Sequence, residues 1–198
     1  MNIGIFKLQL YKPPFYLYPP KNWEGTDSVK KDDAFEWWDK SDQKFISEVL
    51  EKRKIDSDLE TIGYILDDRS DVVIFSSYFY VEKSRYRLVQ VIPKIDVKSI
   101  KEMRLSNESA QVGDAVCVQW EDPIIYPNDE GTVHDLREKC KTVHITRLGY
   151  LIHKSEEGVY TSSLKNIKKD GFYRETMLNP IKSVEKIHKL LWKEKYQK

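Results

Sequence analysis

Two cysteines and two of the four histidines are the side chains in this sequence best suited to bind a metal ion. Cys117, Cys140, His134 and His144 could together supply the four ligands of a tetrahedral zinc site. Their spacing matches no zinc module, however, and Cys117 lies in a run of alternating residues that is typical of a strand. Ordinary thiols and surface imidazoles explain them better, and we predict no metal site.

Paired serines occur in both halves of the chain, as Ser76-Ser77 and Ser162-Ser163. A nucleophilic serine needs a neighbouring base, and no histidine accompanies the first pair. The sequence also lacks a glycine-rich phosphate loop, a Gly-x-Ser-x-Gly elbow, a His-Glu-x-x-His motif and a Cys-x-x-Cys motif. We therefore interpret the serines as small polar residues where a strand bends, and we predict no catalytic residue and no cofactor.

A tyrosine followed by an arginine also occurs in both halves, as Tyr86-Arg87 and as Tyr173-Arg174. Such a pair can stack on a nucleic-acid base, or it can hold a phosphate or a carboxylate. The alternative is aromatic packing across two strands, with a solvated arginine beside the ring. The sequence leaves both interpretations open.

Two aromatic segments are candidates for binding a protein partner. If Trp37-Trp38 lies in a strand, one indole faces inward and the other outward, and an outward Trp37 would be an anchor for a partner. Packing between two parts of the chain is the alternative for this pair. The second segment is bracketed by prolines and contains Phe15, Tyr16 and Tyr18. It predicts either an apolar strap laid over the fold or a partner-binding arm.

Charge is uneven in the C-terminal half of the chain. Residues 105–164 contain five Lys and Arg against ten Asp and Glu, whereas residues 165–198 contain ten against four. The last stretch places lysines, among them Lys189 and Lys193, around spaced apolar residues. This pattern predicts a basic amphipathic end that could be helical. Such an end could contact nucleic acid or an acidic partner, or it could dock its apolar side with the lysines in solvent.

The chain that positions these side chains has positive and negative residues mixed along its length and is nearly neutral overall. It has 198 residues, with 33 Lys and Arg, 32 Asp and Glu, and 40% hydrophobic residues. This composition argues against disorder, and the net charge of +1 argues against a protein that coats duplex DNA along its whole length. The sequence shows no bilayer-spanning apolar run and no secretion signal, so we expect a cytoplasmic protein without membrane association.

An internal repeat is the strongest organisational signal. Residues 61–66 (TIGYIL) recur as residues 147–152 (RLGYLI), and later positions match in order, with one residue inserted between Ser162 and Tyr173. The matched pairs include Val73 with Val159, Ser76 with Ser162, Tyr86 with Tyr173, Pro93 with Pro180, Val97 with Val184, and Ile100 with Ile187. We also align Trp38 with Trp120 as the start of each unit. The sequence thus predicts an N-terminal arm over residues 1–31, with a strand and the proline-bracketed aromatic segment. Two tandem units over residues 32–104 and 111–192 follow it, with a basic tail to residue 198.

Each unit has the pattern of several short strands with few helices. Val116, Val118 and Trp120 alternate with other residues, which is typical of a half-buried strand. Apolar spacing in residues 41–50 predicts one helix. In each unit, a short helical turn that leads into a last strand should follow the proline that ends the preceding strand. We therefore predict a mainly β fold with minor helices. Two tandem SH3-like barrels or strongly bent sheets should pack together, because a unit of this size is marginally stable alone.

The pattern resembles that of small phage-encoded proteins of unknown function, in which a Trp-acidic pair precedes a Gly-aromatic-Leu segment, an apolar strand and an Ile-Pro-basic segment. The first unit carries this pattern in residues 38–41 (WDKS), 63–66 (GYIL), 72–74 (VVI) and 91–94 (VIPK). The second unit departs from it at Pro123, where a serine is expected, and at Pro180, which no basic residue follows. The resemblance implies a viral or mobile-element origin and carries over no catalytic residue.

These features predict a non-catalytic interaction protein of phage or mobile-element type, which binds and could inhibit a host protein. One alternative is a nucleic-acid-binding protein that uses the basic tail and the Tyr-Arg pairs. Another is a hydrolase whose carboxylate site cannot be recognised from residue spacing. The candidate partner-binding residues are Phe15, Tyr16, Tyr18, Trp37, Tyr86, Arg87, Tyr173, Arg174, Lys189 and Lys193.

Overall fold

The computed structural model describes residues 4–17, 28–41, 43–52, 59–81, 83–123, 142–168 and 172–193. Its strands are β1 (Ile5–Leu10), β2 (Phe15–Tyr16), β3 (Ser28–Val29), β4 (Leu59–Asp68), β5 (Val72–Ser76), β6 (Tyr78–Tyr80), β7 (Arg85–Arg87), β8 (Gln90–Pro93), β9 (Val97–Ser106), β10 (Ala115–Pro123), β11 (Thr142–Lys154), β12 (Gly158–Asn166), β13 (Tyr173–Pro180) and β14 (Val184–Trp192). Its helices are α1 (Ala34–Asp39) and α2 (Gln43–Lys52), with 3₁₀ turns at Lys94–Asp96 and Ile181–Ser183. The prediction of a mainly β fold is confirmed.

Seven strands close into a barrel. Around the barrel they follow the order β4, β1, β9, β14, β10, β11 and β12, and β12 returns to β4. Every neighbouring pair is antiparallel. The barrel takes strands from both halves of the chain, where the sequence led us to expect one small barrel or strongly bent sheet in each half. One of its strands, β1, comes from the segment predicted to be an arm.

The two halves of the sheet have the same strand order. Strands β8, β5, β4, β1 and β9 of the first half correspond to β13, β12, β11, β10 and β14 of the second. The registers correspond as well, since Val72 lies opposite Pro93 as Gly158 lies opposite Pro180. A register shift between β1 and β9 recurs at the matching place between β10 and β14. Each pairing among these five strands in one half therefore has a counterpart in the other.

In each half, one segment also pairs with a strand of the other half. After the bend that ends β5, the short strand β6 pairs with β11, and Tyr78 lies opposite Arg147. In the same way, the last residues of β12 pair with β4, and Leu164 lies opposite Thr61. The two halves therefore complete each other's sheets.

The recurring glycines and serines shape this bend. A Cβ atom on Gly63 or Gly149 would overlap the carbonyl oxygen of Ser76 or Ser162 respectively, so the close approach of the strands requires glycine at both positions. Each of these serine hydroxyls lies within hydrogen-bonding distance of one carbonyl oxygen beyond the bend and one on the neighbouring strand. The interpretation of the serines as bend residues is confirmed.

Three hydrophobic clusters stabilise the fold. The central core joins barrel residues to α1 and includes Ile62, Cys117, Leu148, Leu190, Trp37 and Trp38. The first-half core contains Leu8, Leu10, Leu59, Val73, Phe75, Ile92 and Leu164. The second-half core contains Tyr78, Val116, Val118, Trp120, Val143, Ile145, Leu151 and Val159. Leu164 and Tyr78 are thus each buried in the core of the opposite half.

Helices form in two places, one of which was predicted. Helix α2 confirms the helix that the apolar spacing of residues 41–50 predicted. The two 3₁₀ turns confirm the turns expected after Pro93 and Pro180. Trp37 and Trp38 lie in helix α1, where we expected a strand. Trp37 is 1% exposed and packs in the central core, so the expectation of an outward-facing Trp37 is wrong. No helix among the residues described here is long and apolar enough to cross a bilayer.

Two other expectations are also wrong. The C-terminal apolar and basic residues form strand β14 and no helix, because β10 and β9 pair along its two edges. The alignment of Trp38 with Trp120 fails, because Trp38 is helical and Trp120 lies in β10, whose counterpart in the first half is β1.

Candidate functional site

The N-terminal aromatic segment lies along the first half as a strap. Strand β2 contains Phe15 and Tyr16 and pairs with β8, and Phe15 packs against the central core. The hydroxyl of Tyr16 donates a hydrogen bond to the carboxylate of Glu175. Burial, reinforced by this carboxylate, holds the pKa of Tyr16 well above its ordinary value. Tyr18 lies outside the described residues. Phe15 and Tyr16 therefore have structural contacts that account for them.

The first Tyr-Arg pair is packed into the structure. Tyr86 is 1% exposed, and its ring lies 5.6 Å from that of Tyr64 and 4.9 Å from that of Phe79. Burial raises the pKa of Tyr86 to about 12. The guanidinium of Arg87 donates a hydrogen bond to the hydroxyl of Tyr80 over 3.0 Å. Of the two interpretations of the sequence, aromatic packing across strands is therefore the one that describes the first Tyr-Arg pair.

The second Tyr-Arg pair occupies the corresponding place in β13 but is more accessible. Tyr173 is half-buried, and Arg174 is exposed. The guanidinium carbon of Arg174 lies 5.4 Å from the ring centroid of Phe172, which is 41% exposed. A cationic and an aromatic side chain are therefore exposed to solvent at the start of β13.

The tail lysines pair with acidic residues of neighbouring segments. The ammonium of Lys189 lies 3.2 Å from a carboxylate oxygen of Asp114 and 3.7 Å from one of Glu108. The ammonium of Lys193 lies 2.7 Å from a carboxylate oxygen of Glu102. These contacts offset part of the positive charge that the sequence concentrates at this end.

The edge of the first half is covered by the N-terminal segment. Strand β2 lies along β8, and β3 lies along β7. Between them, the amide of Leu17 donates a hydrogen bond to the carbonyl oxygen of Val89 over 2.8 Å. Val91 on β8 is 0% exposed under this cover. The N-terminal segment therefore covers this edge at residues 86, 87 and 89–91.

The corresponding edge of the second half is open in the part of the chain that the structure describes. Strand β13 pairs with β12 along one side, and no described strand lies along its other side, which is named the open edge here. Leu178 is the counterpart of Val91, and it is 44% exposed. The exposed side chains of β13 are Arg174, Thr176, Leu178 and Pro180. A strand edge of this length that no described strand covers can bind an additional strand.

A buried polar cluster holds the first residues of β13 in place. Arg147 is 3% exposed, and its guanidinium donates a hydrogen bond to the carbonyl oxygen of Glu175 over 2.8 Å. Two other guanidinium nitrogens of Arg147, Nε and Nη1, have no hydrogen-bond partner within the described structure, and desolvation lowers the pKa of this group. Glu175 has a φ of 59°, and its carboxylate accepts hydrogen bonds from Tyr16 and Ser163. These contacts hold the backbone at the start of the open edge in place.

Of the four side chains considered as zinc ligands, the structure describes Cys117 and His144. His134 and Cys140 lie outside the described residues. Cys117 is buried in the central core, where burial raises the pKa of its thiol to about 12. His144 lies further along the barrel wall, next to Glu121 and Glu185. Sequence spacing did not reveal this group, because its members lie on three strands.

Comparison with family models, with curated proteins and with solved structures finds no match for this chain. Its function must be inferred from its own strands and side chains.

Proposed function

We propose that this chain is a non-catalytic interaction protein that binds an extended segment of another protein along the open edge of β13. The observation that supports this function is the contrast between two corresponding edges. Val91 is fully buried under a covering strand, whereas Leu178 is 44% exposed. A strand added to β13 would pair the outward amides and carbonyls and bury Leu178, which is how β-strand addition gains affinity.

The first half shows what kind of segment fits such an edge. There, Phe15 lies opposite Val91, and its side chain packs into the central core. The matching partner residue would be a large apolar side chain opposite Leu178. Arg174, at the other end of the open edge, favours an acidic residue in the partner, because complementary charges set register and speed association.

We also propose that the two halves are tandem SH3-like units, each a strongly bent five-stranded sheet with its own small core. The corresponding strand orders, registers and cores support this view. Together with the resemblance to small phage-encoded proteins, the open edge supports an interaction protein of phage or mobile-element type. It would act in the host cytoplasm and inhibit a host protein by occupying one of that protein's extended segments.

Nucleic-acid binding has support at one other place on the surface. Trp192 is 41% exposed, and the ammonium groups of Lys7 and Lys101 each lie 4.7 Å from the centroid of its ring. Basic residues around an exposed aromatic ring suit a single-stranded nucleic acid. The support is weaker than for the open edge, because the lysines contact the ring on which a base would stack and Lys7 also lies 2.5 Å from a carboxylate oxygen of Glu60.

The proposal predicts that Leu178→Pro abolishes partner capture while the chain remains folded. Proline removes the outward amide donor of residue 178 and leaves the hydrogen bonds to β12 in place. Immobilised wild-type chain, Leu178→Pro, Leu178→Ala and Leu105→Ala should be compared on a native host lysate by quantitative mass spectrometry. Leu105 is the matched control, a leucine that is 48% exposed on β9.

We expect a host protein retained by wild type and Leu105→Ala, reduced with Leu178→Ala and lost with Leu178→Pro. Circular dichroism should show that all four chains are folded. Equal capture by wild type and Leu178→Pro would refute binding at the open edge. Capture that falls steeply with salt and disappears after nuclease treatment would favour the nucleic-acid function, because counterion release makes such binding strongly salt-dependent.

A further inference from the structure

Three side chains that can bind a metal converge at one corner of the barrel wall. Glu121 on β10 lies directly opposite His144 on β11. On the other side of β10, Gln119 pairs with Lys186 and Trp120 with Val184, so the intervening Glu185 of β14 sits in a bulge without an opposite residue. The bulge brings the Glu185 side chain to the same imidazole. Strand register and one bulge therefore assemble the group.

The separations within this group match those of ligands around one ion. His144 Nε2 lies 3.5 Å from a carboxylate oxygen of Glu121 and 3.3 Å from one of Glu185. One ligand atom from each of the three residues lies within 4.8 Å of both others. Two ligands held at about 2.0–2.1 Å by a tetrahedral zinc ion are separated by about 3.4 Å. Small side-chain rotations would bring all three atoms onto one ion.

The charges of this group favour the binding of a cation. The carboxylates of Glu121 and Glu185 both form an ion pair with Nε2 of His144. That nitrogen can carry only one proton, so one positive charge is shared between two negative charges. Two carboxylates at this separation repel each other unless a positive charge lies between them.

The first half gives an independent indication that a cation belongs at this corner. The counterparts of Glu121 and Glu185 there are Tyr11 and Lys98, as the corresponding registers of β10 on β14 and β1 on β9 show. The ammonium of Lys98 lies 4.6 Å from the ring centroid of Tyr11. The first half therefore fills this corner with its own cation, whereas the second half carries two carboxylates and an imidazole in its place.

We propose that Glu121, His144 and Glu185 bind one divalent transition-metal ion of the zinc type. One imidazole nitrogen and two carboxylate oxygens suit such an ion, and three protein ligands leave a position for water. The side chains of Glu121, His144 and Glu185 are 45%, 42% and 38% exposed, so an ion can reach the site from solvent. The ion would link three neighbouring strands, β11, β10 and β14, and stabilise this corner of the barrel.

Isothermal titration calorimetry tests the site directly. The full chain, freed of metal with a chelator and dialysed, should be titrated with zinc chloride near neutral pH. We expect one zinc ion per chain and a rise in melting temperature on binding. His144→Ala and Glu185→Gln should each weaken binding by at least about tenfold, because the loss of a mere outer-shell partner already costs about 10–100-fold. His153→Ala, an exposed histidine elsewhere on β11, should bind like wild type.

Three outcomes would overturn the proposal, provided that circular dichroism shows every variant to be folded. One is the absence of any binding heat with wild type. Another is equal zinc affinity in wild type and His144→Ala. The third is binding that persists in His144→Ala and is lost in Cys140→Ser, which would place the metal at the thiol.

Discussion

Replacing Gly149 with alanine should destabilise the fold by about 3 kcal/mol. The added Cβ would overlap the carbonyl oxygen of Ser162 and lie 3.1 Å from its carbonyl carbon. The second separation is short by about half an ångström of the roughly 3.5–4.0 Å at which carbon atoms pack. Because the obstacle is the backbone of a paired strand, no side chain can rotate away, and β11 and β12 must separate. Overpacking costs about 1–3 kcal/mol, and a fixed backbone places this substitution at the upper end.

Urea and thermal unfolding of wild type, Gly149→Ala and Gly113→Ala measure this effect. In a chain of this length, 3 kcal/mol corresponds to a fall in melting temperature of about 6–12 °C. Gly113 is the control, since nothing lies within 4 Å of its Cβ position and its φ of 93° leaves backbone strain as the only cost. That strain is worth about 1–2 kcal/mol. If Gly149→Ala is no more destabilising than Gly113→Ala, close approach of the strands does not explain the recurring glycine.

In a Cys140→Ser background, Cys117 should react with a thiol reagent only after the chain unfolds, because burial raises its pKa to about 12; rapid labelling of the folded chain at pH 8 would contradict this. Since the folded pKa exceeds the ordinary value of 9.0, the contribution of Cys117 to stability is present below pH 9 and is lost as the pH rises towards 12. Cys117→Ala should therefore flatten the fall of the urea midpoint over that range. Ser162→Ala should cost about 1–3 kcal/mol, because the carbonyl oxygens of Leu164 and Arg174 lose the hydroxyl that they share. The exposed Ser109→Ala should leave the urea midpoint unchanged, and equal midpoints for the two serine variants would count against the bend contacts.

Local patterns predicted the elements that have one buried and one exposed face, or a fixed turn. Part of strand β14 was interpreted as a possible helical tail because the strand is apolar on both faces: Leu190 packs in the central core, and Ile187 packs against the second-half core. Such a strand loses its period of two, and its spacing imitates a helix. Helix α1 was missed because it spans six residues without a side-chain cap, too few for a helical period to emerge.

The closure of the barrel and the open edge could not be predicted, because they depend on pairings between distant segments. Nothing near β6 or β12 in the sequence specifies that each pairs with the other half. The same Tyr-Arg motif is buried at Tyr86 and accessible at Arg174, because β3 covers one strand and no described strand covers the other. Residue type was therefore a poor guide to which aromatic and basic side chains are buried and which are exposed.

The placement of Tyr78 and Leu164, each in the core of the opposite half, determines how this protein unfolds. The ring of Tyr78 lies 5.4 Å from that of Trp120, in the core of the opposite half, and Leu164 completes the other small core. Opening one half would withdraw Tyr78 or Leu164 from the core of the other half. Partial unfolding of one half should therefore disrupt the first-half core and the second-half core together. The chain should therefore melt in a single cooperative step. A protease that nicks it between β9 and β10 should yield two fragments that stay associated, and degradation would have to wait for global unfolding.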